Sequence, residues 1–242
     1  MLMLSSRRRS ALLALVALCS PAAAAVAQVG YLPAKSPFRE IRFGQTLELQ
    51  GGQLFGNGGP IKVGPQDGRI LGARLNFRGN HSLQLALGGW TAAAERYIVD
   101  ADKPPATRVS GPIDHRLIGG EFTLQLNLTG GKTWHALAPY AGLGLGLVHG
   151  AKTPAADTSG YSFGTKLYFA PNVGTRLMLG QRLFLKAEAR AYFWNLKYPN
   201  SYADEPAQAP GTSDAPNAVN PSGKGGEYTP VPALLFGFGI KF

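Results

Sequence analysis

The chain has 242 residues, a formal net charge of +10, 32 glycines and one cysteine, Cys19. A single thiol excludes an internal disulfide framework and a cysteine metal cluster. The length suits one domain, and all-β barrels often reach this size undivided.

The N-terminus reads as an export signal. Arg7, Arg8 and Arg9 form a basic start, ALLALVALC (11–19) an apolar run, and Ala25-Val26-Ala27 a small-residue cleavage pattern. The run is shorter than the roughly 20 apolar residues of a spanning helix. A lipoprotein signal at Cys19 wants a small residue before it, and Leu18 is not small. Cleavage after Ala27 removes three of 24 basic residues and no acidic one, which leaves 21 − 14, or +7. It also removes the cysteine, so a secreted mature chain has neither thiolate ligand nor thiol nucleophile. The expected organisation is a signal at 1–27, a periplasmic segment at 28–41 and a barrel at 42–242. SPFREI (36–41) shows no alternation, and the sequence does not say whether it tucks under the barrel or hangs free.

From residue 42 onward, period-two alternation recurs between turn residues. The first run, 42–55, sets Phe43, Leu47 and Leu49 against Thr46, Glu48 and Gln50. The second, 68–78, sets Leu71, Ala73, Leu75 and Phe77 against Gly72, Arg74, Asn76 and Arg78. The third begins SLQLALGGW, with Leu83, Leu85 and Leu87 on one face. The fourth, EFTLQLNL, opposes Phe122, Leu124, Leu126 and Leu128 to Glu121, Thr123, Gln125 and Asn127.

The fifth, APYAGLGLGLV, opposes Leu143, Leu145 and Leu147 to Gly142, Gly144 and Gly146. The sixth, 163–177, puts Phe163, Leu167, Phe169, Val173 and Leu177 opposite Lys166, Tyr168, Asn172 and Arg176. The seventh, RLFLKAEARAYFW, has Leu183, Leu185, Ala187, Ala189, Ala191 and Phe193 against Lys186, Glu188, Arg190 and Tyr192. The eighth, ALLFGFGIKF, places Leu234, Phe236, Phe238, Ile240 and Phe242 on one face. Pro139 and Pro171 lack a ladder donor and predict bulges or unpaired positions.

Connections near 79–81, 129–133 and 180–181 are short. Those near 56–67, 99–113, 150–161 and 196–227 are long, so all long loops fall at one end. The last, rich in Pro, Gly, Asp and Ser, has the composition of a disordered segment.

Eight antiparallel strands can close and leave no edge. The polar face mixes pairable charges with the glycines at 72, 142, 144, 146, 174 and 237, which suits a narrow interior. The Leu, Phe and Ala face suits lipid. The chain resembles the small eight-stranded outer-membrane β-barrels typified by the transmembrane domain of outer-membrane protein A, over roughly 40–242. That resemblance implies an all-β, up-and-down antiparallel transmembrane barrel in the cell outer membrane, with short periplasmic turns and long extracellular loops. It also implies that the closing strand, with Phe238, Ile240 and Phe242, is an assembly signal read by the barrel-assembly machinery.

Little in the sequence points to chemistry. GLGLG has a phosphate-loop look, but no helix follows and its glycines share one strand face, as spacers do. His81, His115, His135 and His149 show no metal-ligand spacing. His149, Asp157 and Ser159, with Asp114-His115, are the residues from which a Ser-His-Asp site could be assembled. Neither cofactor nor metal nor nucleic-acid partner is indicated, and a monomer is expected. Loop cations Lys103, Arg108, Arg116, Lys152, Lys197 and Lys224 suit either lipid phosphates or plain solvation.

The expected centre of interest is a lumen network of Glu48, Arg74, Glu121, Lys166, Arg176, Lys186, Glu188 and Arg190. The expected role is structural or interactive, with loops meeting lipid or an extracellular ligand. The alternatives are a narrow channel and, further off, a lipid-modifying enzyme.

Overall fold

The computed structural model describes residues 36–41, 44–151 and 157–242. The expected signal, the segment 28–35 and Phe43 lie outside the described residues. Ten strands form: β1 (Phe38–Glu40), β2 (Thr46–Asn57), β3 (Gln66–Arg78), β4 (Leu83–Val99), β5 (Val109–Asn127), β6 (Lys132–Trp134), β7 (Leu137–Gly150), β8 (Thr165–Met178), β9 (Leu183–Lys197) and β10 (Gly226–Lys241).

Eight of them close a barrel in the order β2-β3-β4-β5-β7-β8-β9-β10, with β10 antiparallel to β2 and β7 to β8. Followed once around, the register runs Glu48, Arg74, Gly88, Glu121, Gly146, Tyr168, Trp194 and Thr229. Because Ala233 pairs with Leu54, Thr229 is level with position 58, ten residues above the start. That stagger tilts the strands by about 40° for eight strands at ordinary spacings.

The remaining two strands are local. β1 pairs with β6, Phe38 opposite Trp134 and Glu40 opposite Lys132, so the segment before the barrel adds to the hairpin between β5 and β7 at the short-turn end. Its three residues carry too few alternating positions to read as a strand in sequence.

Outside, the barrel is apolar. Leu47, Leu71, Leu87, Phe122, Leu145, Leu167, Leu185 and Phe236 are all exposed, and their strand neighbours Glu48, Arg74, Glu121, Lys186 and Glu188 are buried. An apolar exterior around a charged interior fits one solvent, the hydrocarbon of a bilayer. The eight barrel strands run from 12 to 19 residues. About 9–11 residues span the hydrocarbon, so the barrel wall continues past it.

Beyond the membrane the pattern inverts. On β3 the inward position changes from Arg74 to Ile70 and the outward one from Leu71 to Arg69; on β5 Leu117 turns in and Arg116 out. There the interior is an apolar core that includes Leu54, Val148, Trp194, Leu196, Val231 and Leu235.

Prolines sit where donors are not needed. Pro230 and Pro232 lie past the last β2 pair, where β10 has β9 as its partner. Pro171 falls in a gap of the β8–β9 ladder between the Phe169–Phe193 and Asn172–Arg190 pairs.

Three expectations need correction. Phe163 is not on the lipid face: Gly164, at φ +63°, turns the chain before β8 begins, and Phe163 is buried in the core. The second long connection is only 100–108, because β4 and β5 extend outward. The segment 196–227 is folded where disorder was expected. It carries a 3-10 turn at Asn200–Ala203, buries Tyr202 with its hydroxyl donating to Val99 O at 2.9 Å, and wraps Glu205 in backbone N–H groups. One buried ring and one caged carboxylate organise a stretch whose average composition is that of a coil.

Candidate functional site

The lumen inside the membrane is filled by one connected ionic network. Alternation turns one residue in two inward, so charges from β2, β3, β5, β8 and β9 converge on the axis. Near the short-turn end Arg176 Nε donates to Glu48 Oε1 at 3.2 Å, and Lys186 Nζ lies 2.9 Å from Glu48 Oε2. Lys186 Nζ also reaches Glu188 Oε2 at 3.0 Å and links this cluster to the next. Glu188 meets Arg74 at 3.3 Å and Arg190 at 2.9 Å. Glu121 meets Arg74 at 2.8 Å and Arg190 at 2.5 Å.

Neutral partners complete the shells. Tyr140 OH donates to Glu188 at 2.7 Å, and Thr123 and Tyr168 hydroxyls donate to Glu121 at 3.0 Å. Gln50 takes a bond from Lys186, and Gln125 and Asn127 take bonds from Arg176. The Arg176 guanidinium also lies 4.4 Å from the Tyr140 ring centre. Buried charges are tolerated only when paired and hydrogen-bonded, and each of the three carboxylates has several donors. None is left free to act as a base.

Glycines make this crowding possible. A Cβ on Gly146 would run into Gly120 O and the Tyr168 ring, and one on Gly174 would strike the Tyr140 hydroxyl. The glycines of GLGLG therefore face the network as spacers. Below it, a void of about 10 Å³ between Thr46, Gln84, Arg176 and Phe184 has room for about one water.

Above the network stands an aromatic layer. Trp90, Tyr168 and Tyr192 pack with ring centres 5.1–6.0 Å apart, and the Trp90 indole donates to Tyr168 OH at 2.8 Å. Trp194 stacks on Tyr192 at 5.9 Å and leads into the apolar core.

Seven of the eight residues expected in the network are in it. Lys166 is the exception: it faces inward at the outer end of β8, with its ammonium 5.1 Å from the Phe163 ring. The neutral partners Gln50, Thr123, Tyr140 and Tyr168 are not among those eight. Their shared parity with the charges was the available signal.

The Ser-His-Asp constellation does not assemble. His149 faces outward and contacts Thr165 Oγ1 at 2.9 Å, and Asp157 is held by Arg96 at 2.5 Å. Ser159 is buried, its hydroxyl taking the Tyr161 N–H at 3.3 Å. Asp114 is exposed, and His115 is buried beside Phe163. Among the described residues no group of His, Cys, Asp and Glu could hold a metal ion.

No protein-family model and no curated protein matches the sequence. Among solved structures the chain is similar to the outer membrane protein OprG from Pseudomonas aeruginosa, at 15% identity over 84% of this chain and 98% of that one, TM-score 0.46. It is similar to Neisserial surface protein A at 15% identity, over 86% and 98%, TM-score 0.48. The N-terminal β-barrel domain of Pseudomonas aeruginosa OprF aligns at 11% identity over 83% and 98%, TM-score 0.42. Strand number, stagger, closure and the outward apolar band make the fold that of a small eight-stranded outer-membrane-type β-barrel.

Proposed function

We propose that the protein is a monomeric barrel of a bacterial outer membrane with a structural or interaction role, its short turns periplasmic and its long loops outside. The observation that carries this reading is a lumen filled along its height, ionic within the membrane and aromatic above. Such an interior holds the wall rigid and leaves the loops as the part able to meet a partner. Membrane fractionation together with conductance of the purified protein in a planar bilayer tests it. The expected result is an outer-membrane product with no steady conductance. A soluble periplasmic product, or a stable single-channel current, overturns it.

The row Phe238, Ile240 and Phe242 belongs to the same reading as the assembly signal. Phe242 is 67% exposed, so its ring adds little to internal packing. Phe242→Ala is expected to reduce the amount inserted in cells far more than it lowers the urea midpoint of refolded protein. Normal abundance in the membrane sinks this role.

A further inference from the structure

Among the described residues Lys166 is a buried cation without a counterion: it is 8% exposed, forms no ion pair with any of them, and rests its ammonium over the Phe163 ring. Buried charges are ordinarily paired.

The same ring gathers two further polar groups without partners. Trp194 meets Phe163 edge-on at 5.7 Å, and its buried indole N–H donates to none of the described residues. His115 meets Phe163 at 5.6 Å, and its buried Nε2 is likewise unpartnered. Gly150 permits this approach, since a Cβ there would sit 2.7 Å from the Phe163 ring and 2.8 Å from His115 Nε2. Gly164, two residues before Lys166, is half-buried, and apart from its chain neighbours nothing lies within 4 Å of where its Cβ would stand.

We propose that the outer mouth of the barrel holds a binding site for a small oxyanion, a carboxylate or a phosphate. Lys166 Nζ supplies the charge, and the Trp194 indole and His115 Nε2, when it carries the proton, supply N–H donors around Phe163. The site lies above the ionic network and separate from it, and none of its residues takes part in closing the membrane section.

Titration of ¹⁵N-tryptophan-labelled protein in detergent tests it. Sodium phosphate or sodium acetate is added at constant ionic strength, with sodium chloride as balance. The protein has three tryptophans, and Trp194→Phe identifies the Trp194 indole signal by its loss. The expected result is a saturable displacement of that signal by one or both oxyanions, with affinity weakened about tenfold or more in Lys166→Met and kept in Lys166→Arg. Acetate alone or phosphate alone then names the oxyanion. The site is overturned if neither moves the signal, if chloride moves it equally, or if the Lys166→Met titration matches wild type. Should Lys166→Met fail to fold, an unchanged response in Lys166→Gln overturns it equally.

Discussion

Glu121 concentrates the lumen's electrostatics at a single carboxylate. It takes bonds from Arg74, Arg190, Thr123 and Tyr168, all in the buried interior. Glu121→Gln preserves shape but leaves two guanidinium groups short of a counter-charge. Removing one member of a buried pair costs about 3–5 kcal/mol, so the urea midpoint of the barrel in detergent should fall clearly. Lys224→Gln, in an exposed loop, should stay within about 0.5 kcal/mol. Equal silence in both would mean a wet, solvated lumen. Gly146→Ala probes the same network by volume, because the added methyl meets Gly120 O and the Tyr168 ring. Overpacking of this kind costs about 1–3 kcal/mol, and the readout is again the midpoint. Gly144→Ala is the milder control, since its nearest contact is a Glu121 oxygen at 3.3 Å.

At the scale of elements, the loop 198–225 shows how little structure a coil-like sequence needs. The Gly211 N–H, followed by those of Asn217 and Ala218, donates to the Glu205 carboxylate and holds its pKa below the ordinary 4.5. A carboxyl lowered on folding contributes order that is present above the unfolded value and lost as pH falls through the folded one. Exchange protection at Gly211, Asn217 and Ala218, corrected for intrinsic rate, should therefore hold at about pH 6 and decline below about pH 4.5. Glu205→Gln should be poorly protected at both; a wild-type profile flat across that range would refute the cage.

The membrane strands were legible because lipid and lumen impose opposite demands on alternate residues. The outer halves were not, because the inward face changes character without changing parity. Adjacent apolar pairs such as Leu54-Phe55, Ile70-Leu71, Leu117-Ile118, Leu147-Val148 and Leu234-Leu235 mark that level, one residue buried and the other exposed. In sequence such pairs look like imperfect alternation. Phe163 was misplaced for a related reason: periodicity cannot register a left-handed glycine that ends the strand. The network members lay in phase and could be named, whereas the isolation of Lys166 depends on which strands lie beside β8 near its outer end, information that closure alone supplies.

At the scale of the whole molecule, the barrel is shut twice by different physics. Within the membrane, ion pairs fill the axis, and their removal would expose polar groups that water can follow. Above it, Trp90, Tyr168, Tyr192 and Trp194 join an apolar core with Leu54, Ile70, Leu117 and Val148. Either seal alone should block ions, so the two ought to behave non-additively. Glu188→Gln weakens the ionic seal and should destabilise the barrel while leaving planar bilayers silent. Trp90→Ala with Trp194→Ala opens the aromatic seal, yet the network below it still spans the lumen, and current should again be absent. Conductance is expected only when both sets are combined, as brief, salt-dependent openings, because the interior of eight strands is just wide enough for side chains to fill. Steady current from Glu188→Gln alone would show that the aromatic layer is no barrier, and steady current from the double tryptophan variant would show the same of the network.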